Sequence, residues 1–566
     1  MFAGGWYVLR DWNMVDFDYM KILKQLHVKF GVSPYFKISV IPNPREPGNS
    51  SISISPSGLG LPDRNYYYAP QKDTIVAAYK QLIRDIVINL GAPKANAETF
   101  GNDVFFYEQR IAEMTPETSD LLDPIHSYNP IHLSELKLTS STLPLHDILT
   151  AMYPSANVDD NTEIIVTHPD YLLKVSQIIS STDRKSMNGY MIWTLVREYL
   201  PYLSTQYTSA IDAFHNELLG VAKPFQRWEF CANLVQRFMP LAIDALIDKA
   251  NPVRNKTNVV INDIFKNIQK AAKAKLNKYN SIPELYTHLE KKISTLNLQI
   301  GLPAVAKTET FQKDYYTRLQ ILKANLFESY KYGIIFLKTL DEGRLSKNGA
   351  LEYVINEALS DPFRVHYVPS NNTIIVPRVL LSAPYFEDQY PSSIIYGRLG
   401  MEIAEAVATA ILPFKSAWTA EGKLLSSYHE SVNESSRLIR HSMHCLTEFA
   451  KDNNLAETKS VNLTSLNTYK YLSSLNLARD ALKFGLENAE HVHQPALEIY
   501  EDSALFYISH IQSFCSLSTK HQNLYDNVVE FQLSEESLLE VAWKQHVGIS
   551  EAFNCYSPSD KCNDIL

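Results

Sequence analysis

The sequence predicts a mainly α-helical protein of two unequal lobes with a small β component. Three observations predict it. From Asp73 onward, apolar residues recur at three-to-four spacing over long stretches. Only two short regions, near residues 36–56 and 362–378, alternate as strands do. The charged run DEGRLSK (341–347) reads as a solvated turn that separates the lobes near residues 340–360.

The elements follow in order. FKISVIPNPREPGNSSISISPSGLGLPDR holds two strands around a Pro/Gly/Asn turn. DTIVAAYKQLIRDIVINLG is amphipathic and ends at Gly91-Ala92-Pro93, a C-cap followed by a stop. Periodic segments at roughly 95–114, 187–219, 222–250, 258–278, 283–298 and 310–338 build a large helical body. FRVHYVPSNNTIIVPRVLL is a hairpin turning at Pro369-Ser370-Asn371-Asn372. IIYGRLGMEIAEAVATAILPF is a buried helix that starts near Leu399 and is stopped by Pro413. Helices resume at about 433–452, 468–486, 494–516 and 535–546, and no tandem repeat is present. The expected domains are residues 1–345 and 346–566.

Composition narrows the function classes. With 566 residues, 45% hydrophobic and 11% aromatic, the chain can bury a large core and is not a disordered protein. A net charge of −9 argues against a nucleic-acid partner. No apolar run reaches the roughly 18 residues that a membrane helix requires. MFAGGWYVLRDWNMVDFDYM has no basic start, and Asp11, Asp16 and Asp18 interrupt any signal-peptide core. The cysteines are Cys231, Cys445, Cys515, Cys555 and Cys562. Glycosylation sequons stand at Asn49, Asn255, Asn371, Asn433 and Asn462.

Several segments, in order, resemble the neprilysin family of zinc metallopeptidases. SPSGLGLPDRNYY (55–67) is similar to the family's GLGLP-x-R-x-YY, and GGWYVLRDW (4–12) to the tryptophan-rich stretch upstream. RWEFC (227–231) resembles RW-x-x-C, and VHYVPSNNTIIVP (365–377) the NAYY-x-P hairpin. IIYGRLGMEIAEAVATAI (394–411) resembles NYGGIGxVIGHEITHGF, and EAFNCYSPSDKC (551–562) the closing F-x-C…KC. The resemblance implies a mostly helical, two-lobed ectodomain with a thermolysin-like zinc lobe capped by the other. Its members are secreted or membrane-anchored, so an extracellular location is implied.

The family's chemistry needs two histidines at i and i+4 on one helix face, a glutamate between them, and a third zinc ligand downstream. Zinc then lowers the pKa of its bound water to about 7. In this chain the first ligand falls at Glu405, the general base at Ala406 and the second ligand at Thr409. The span matching the third ligand, NLTSLNTYKYLSSLNLAR (462–479), contains no Asp or Glu. The substrate-binding asparagine falls at Arg364 and the residue after it at Val365. The late histidine and arginine fall near Gln532 and Leu538, and no arginine follows Arg479. No zinc ligand and no general base remain, so no cofactor is expected.

Four groups of residues offer a replacement site. Glu402 and Glu405, at i and i+3, form a carboxylate pair that on a helix is usually structural. His429-Glu430 has no second histidine four residues on, because Asn433 stands there. His441, His444 and Cys445 have metal-like spacing, but the resemblance assigns Cys445 to a disulfide. His491 and His493 lie in a polar loop. Beside the site helix, Ala404, Ala406, Ala408 and Ala410 leave room that Arg364 and Tyr471 would fill.

The resemblance pairs Cys445 with Cys562. It matches Cys231, Cys515 and Cys555 to positions whose partners lie in a more N-terminal part of the family. Two expectations follow: the chain lacks an upstream segment, or it is a short form in which Cys515 pairs with Cys555. The functional expectation is an extracellular pseudopeptidase that binds peptides or an active homologue. The alternative is a zinc endopeptidase with a non-standard site around His441 and His444. A third possibility is a purely structural secreted protein.

Overall fold

A computed structural model describes residues 4–9, 12–68, 73–221, 226–346, 355, 359, 361–426, 430–453, 461–487, 495–555 and 562. Helices carry most of these residues. The amphipathic segment after residue 72 is the helix Asp73–Asn89, and Lys94–Met114 packs beside it. Proline cuts two of the expected segments. The stretch 187–219 becomes Arg184–Tyr199 and Thr205–Leu219, separated at Leu200–Tyr202, which contains Pro201. The stretch 222–250 becomes Arg227–Phe238 and Pro240–Ala250, with Pro240 opening the second helix, where its missing N–H costs nothing.

The predicted first hairpin is β1 (Phe36–Pro42) antiparallel to β2 (Ser50–Pro56). β3 (Pro130–His132) and β4 (Glu163–Val166) complete a sheet of order β1-β2-β4-β3. β1 keeps its alternating burial. β2 lies inside the sheet, so Ser53 is buried along with Ile52 and Ile54. A second sheet joins β5 (Asn297–Ile300), β6 (His366–Val368) and β7 (Thr373–Val376) in the order β5-β7-β6. The hairpin read from 362–378 is therefore present as β6 and β7. β5 corrects the end of the expected 283–298 helix, which stops at Ser294 because the next residues pair in parallel with β7.

The charged run 341–347 is also corrected. Through Ser346 it is the end of the helix Leu326–Ser346, not a turn. Arg344 pairs with Asp341 one turn back at 2.8 Å, and the Glu342 carboxylate accepts from the Ser155 backbone N–H. The charges are satisfied on the helix, so they do not break it.

Two main hydrophobic cores organise the chain. The first gathers residues from Trp6 to Leu218 and adds Tyr330, Ile334 and Val528. The second gathers residues from Ile261 to Cys562. A cut at residue 345 does not separate them, because Asn255–Lys275 and Pro283–Ser294 belong to the second core. The motifs at the start of the chain anchor the first core. Asn188 donates to the Gly5 carbonyl and accepts from the Tyr7 N–H. Gly58 has φ +104, and a Cβ there would lie 2.2 Å from the Tyr190 hydroxyl, so that turn requires glycine.

Candidate functional site

The buried helix predicted near Leu399 is Met401–Ile411, preceded by a π-helical turn, Tyr396–Gly400. Its alanines are buried because the long helix Val461–Leu486 packs against it, and Asn255–Lys275 covers both. A cavity of about 380 Å³ opens along this helix pair. Glu402, Glu405, Lys470, Tyr471, Arg364 and His510 line it.

The first-ligand position, Glu405, faces this cavity. Its carboxylate pairs with the Lys470 ammonium at 2.8 Å, joining the two helices. Burial pushes Glu405 up, but Lys470, together with Arg364 and His510, more than offsets this and holds the carboxyl below its ordinary value. Glu402 makes no ion pair among the described residues; it accepts from the Val365 backbone N–H. Burial first, and then the neighbouring Glu405, push it up to about 7. Arg364, exposed at the cavity wall, makes no ion pair or hydrogen bond among the described residues.

His510 is buried and held by two contacts. Its Nδ1 lies 3.2 Å from the Gly397 carbonyl, which can only accept, so the proton sits on Nδ1. Nε2 then accepts from the Tyr471 hydroxyl at 2.9 Å. Burial lowers His510 to about 4, which keeps the ring neutral, and burial raises Tyr471 above its ordinary value.

The remaining predicted positions divide. Arg364, Val365, Gln532 and Leu538 all line the cavity beside Glu405, so the resemblance brought together residues far apart in sequence. Ala406 is instead packed in the second core, and the Thr409 hydroxyl donates back to the Glu405 carbonyl at 2.7 Å. The expected filling is corrected. The four alanines are packed against neighbours rather than beside a void, and Arg364 and Tyr471 line an open cavity rather than closing it. Lys470 and His510 carried no signal as site residues. Lys470 lies in the span that matches the third ligand, a position that calls for an acidic residue.

These residues do not fit a zinc ion. Of the three matched positions on the helix, Glu405 alone keeps a carboxylate, and an ammonium already neutralises it at 2.8 Å, where it would repel a dication. Among the described residues, no three His, Cys, Asp or Glu side chains converge as a metal-binding group. Of the replacement sites, His441 and His444 are exposed, and Cys445 is committed to the disulfide. His429, His491 and His493 lie outside the described residues.

Cys445 and Cys562 are bonded, as the resemblance implied. Cys231, Cys515 and Cys555 are free and exposed, so the Cys515–Cys555 pairing is not formed. Among the sequons, Asn49 and Asn255 are exposed. Asn371 is half-buried, with its carboxamide oxygen enclosed. The side chains of Asn433 and Asn462 lie outside the described residues. Among the described residues, no single helix is long and apolar enough to cross a membrane.

Known proteins agree with this architecture. An endothelin-converting enzyme homolog of Locusta migratoria is 23% identical over 554 residues, covering 94% of this chain and 73% of the relative. Endothelin-converting enzyme 1 of Bos taurus is 22% identical over 537 residues, covering 91% and 68%. Among solved structures, a zinc metalloprotease of Mycobacterium tuberculosis in complex with an inhibitor superposes with a TM-score of 0.83 at 17% identity. That match covers 97% of this chain and 83% of the other. PepO of Lactobacillus rhamnosis gives 0.78 at 14% identity, covering 99% and 84%. Residues 2–303 and 365–563 match the two sequence profiles of peptidase family M13, and the chain belongs to that family, the neprilysin-type peptidases.

Proposed function

We propose that this chain is a catalytically inactive member of its family that acts outside the cell by binding peptides or an active relative. The observation that carries this reading is the Glu405–Lys470 ion pair. It joins the two helices whose matching positions bear the zinc ligands of active members, and it places an ammonium beside the first-ligand position. The position of the general base is Ala406, which cannot accept a proton. Zinc hydrolysis needs a Lewis acid and a base at these positions, and neither role has a residue to fill it. What remains is a cavity with polar and charged walls inside a peptidase scaffold. The Cys445–Cys562 disulfide supports an oxidising, extracellular setting.

The test is elemental mass spectrometry on protein purified without added metal, paired with a chelator-controlled peptide cleavage assay. Far less than one zinc per chain and no chelator-sensitive cleavage are expected. A retained stoichiometric zinc with chelator-sensitive cleavage would overturn the reading.

A further inference from the structure

We infer that the cavity beside Glu405 is a clamp for short, zwitterionic peptides, with Glu402 taking the free ammonium end and Arg364 the free carboxylate end. This rests on the peptide-binding reading above and names the ligand class for the same site.

The argument is a charge inventory of the cavity walls. Lys470 and Glu405 neutralise each other at 2.8 Å. Arg398 is committed to the Pro384 carbonyl and the Gln512 side chain. Glu535 accepts from the Ser516 hydroxyl. These bonds hold Arg398 and Glu535 in place without cancelling their charge. Glu402, which accepts from the Val365 backbone N–H, and Arg364, which has no hydrogen-bond partner among the described residues, are left as one acid and one base that act on Glu405 across the cavity. Both line the cavity, and neither is in ion-pair contact with any described residue.

They are also close enough to feel each other. Arg364 favours the ionised form of Glu402, although the two make no salt bridge. A carboxyl deep in a cavity without a cation is costly, and an arginine fork without an acceptor is an open bidentate site for a carboxylate. A ligand carrying an ammonium and a carboxylate at its two ends satisfies both with one molecule. The cavity's 380 Å³ is at the small end of the roughly 300–1,000 Å³ usual for ligand sites, which suits two or three residues rather than a long chain. Phe514, Leu533 and Leu538 form an apolar wall for the side chains of such a ligand.

Here the free termini themselves are the recognised groups. The Glu405–Lys470 pair stays intact beneath the ligand and holds the floor of the clamp.

The experiment is calorimetric titration of the full chain with leucyl-leucine, its N-acetyl form, its C-terminal amide, and a decapeptide blocked at both ends. The free dipeptide is expected to bind, and each singly blocked form to bind about tenfold or more weakly, because each loses a charge-assisted contact. Glu402→Gln should close the gap between free and N-acetylated dipeptide and leave the amide gap. Arg364→Gln should do the reverse. The blocked ligands test the clamp on the unaltered protein, so a variant that misfolds does not remove the test. Equal binding of free and blocked dipeptides overturns the clamp. Binding of the blocked decapeptide without the dipeptide overturns the clamp and leaves the peptide-binding reading intact. If none of the four binds, the clamp and the peptide-binding half of the proposed function both fall, and an active relative is left as the partner.

Discussion

At the scale of single residues, two glutamates one helical turn apart behave differently because one is in ion-pair contact and the other, among the described residues, is not. Lys470 keeps Glu405 ionised, whereas burial and Glu405 itself hold Glu402 up to about 7. The Glu402 shift has a sign that can be measured. A carboxyl whose folded pKa lies above its unfolded value of 4.5 keeps its proton longer in the native state. Its contribution is therefore intact below pH 4.5 and is lost as pH rises through about 7. The full shift would correspond to roughly 3 kcal/mol, but the side chain keeps surface open to the cavity, so about 1–2 kcal/mol is a better figure. Glu402→Gln cannot ionise. It is expected to be more stable than the parent by that amount at pH 8 and equal to it near pH 4. Denaturant unfolding at the two pH values checks this, and a difference that does not change with pH would remove ionisation as the cause. Glu402 and Glu405 were both legible in the sequence as a pair at i and i+3. Their unequal states were not, because the deciding charge, Lys470, sits on another helix.

At the scale of elements, the helix Met401–Ile411 is placed by close contact on several sides. Its π-helical lead-in brings Gly397 against the helix Asp502–Ser513. A Cβ on Gly397 would lie 2.1 Å from the Ser509 hydroxyl and 2.5 Å from the Phe506 carbonyl. The Gly397 carbonyl also accepts from His510, which faces the cavity. Gly397→Ala must therefore push the two elements apart. A loss of about 1–3 kcal/mol is expected, the usual cost of overpacking, read as a lower thermal midpoint. The midpoint should be followed by circular dichroism. An unchanged midpoint would show that the contact relaxes freely. The helix itself was legible from its apolar run and the stop at Pro413. β3, β4 and β5 were not, because strands of three or four residues draw their stability from partners distant in sequence. β5 was read as the tail of a helix for that reason.

At the scale of the whole molecule, the second core is assembled from both sides of the apparent boundary. Ile261, Ile264, Phe265 and Ile268 come from the helix Asn255–Lys275, and Leu285 and Leu289 from Pro283–Ser294, yet all pack with residues beyond 370. Conversely, the segment Asp526–Glu530 gives Val528 to the first core. A fragment of residues 346–566 would expose the apolar surface these helices cover, at roughly 1.5–3 kcal/mol for each large side chain. It is expected to lack a cooperative thermal transition and a near-ultraviolet circular dichroism signal, both of which the full chain should show. A cooperatively melting fragment would mean that the later residues form a core of their own.

The sequence by itself determined the family, the helical class, the hairpins, the bonded cysteine pair and the loss of the zinc-binding motif. These are carried by local periodicity and by residues present or absent at matched positions. Only the tertiary structure decided what stands in the emptied site. Glu405, Lys470, Arg364 and His510 are up to 146 residues apart (364 to 510) and meet only because three helices and a hairpin edge converge on one cavity. Charge pairing depends on distance in space, and no pattern along the chain records that distance.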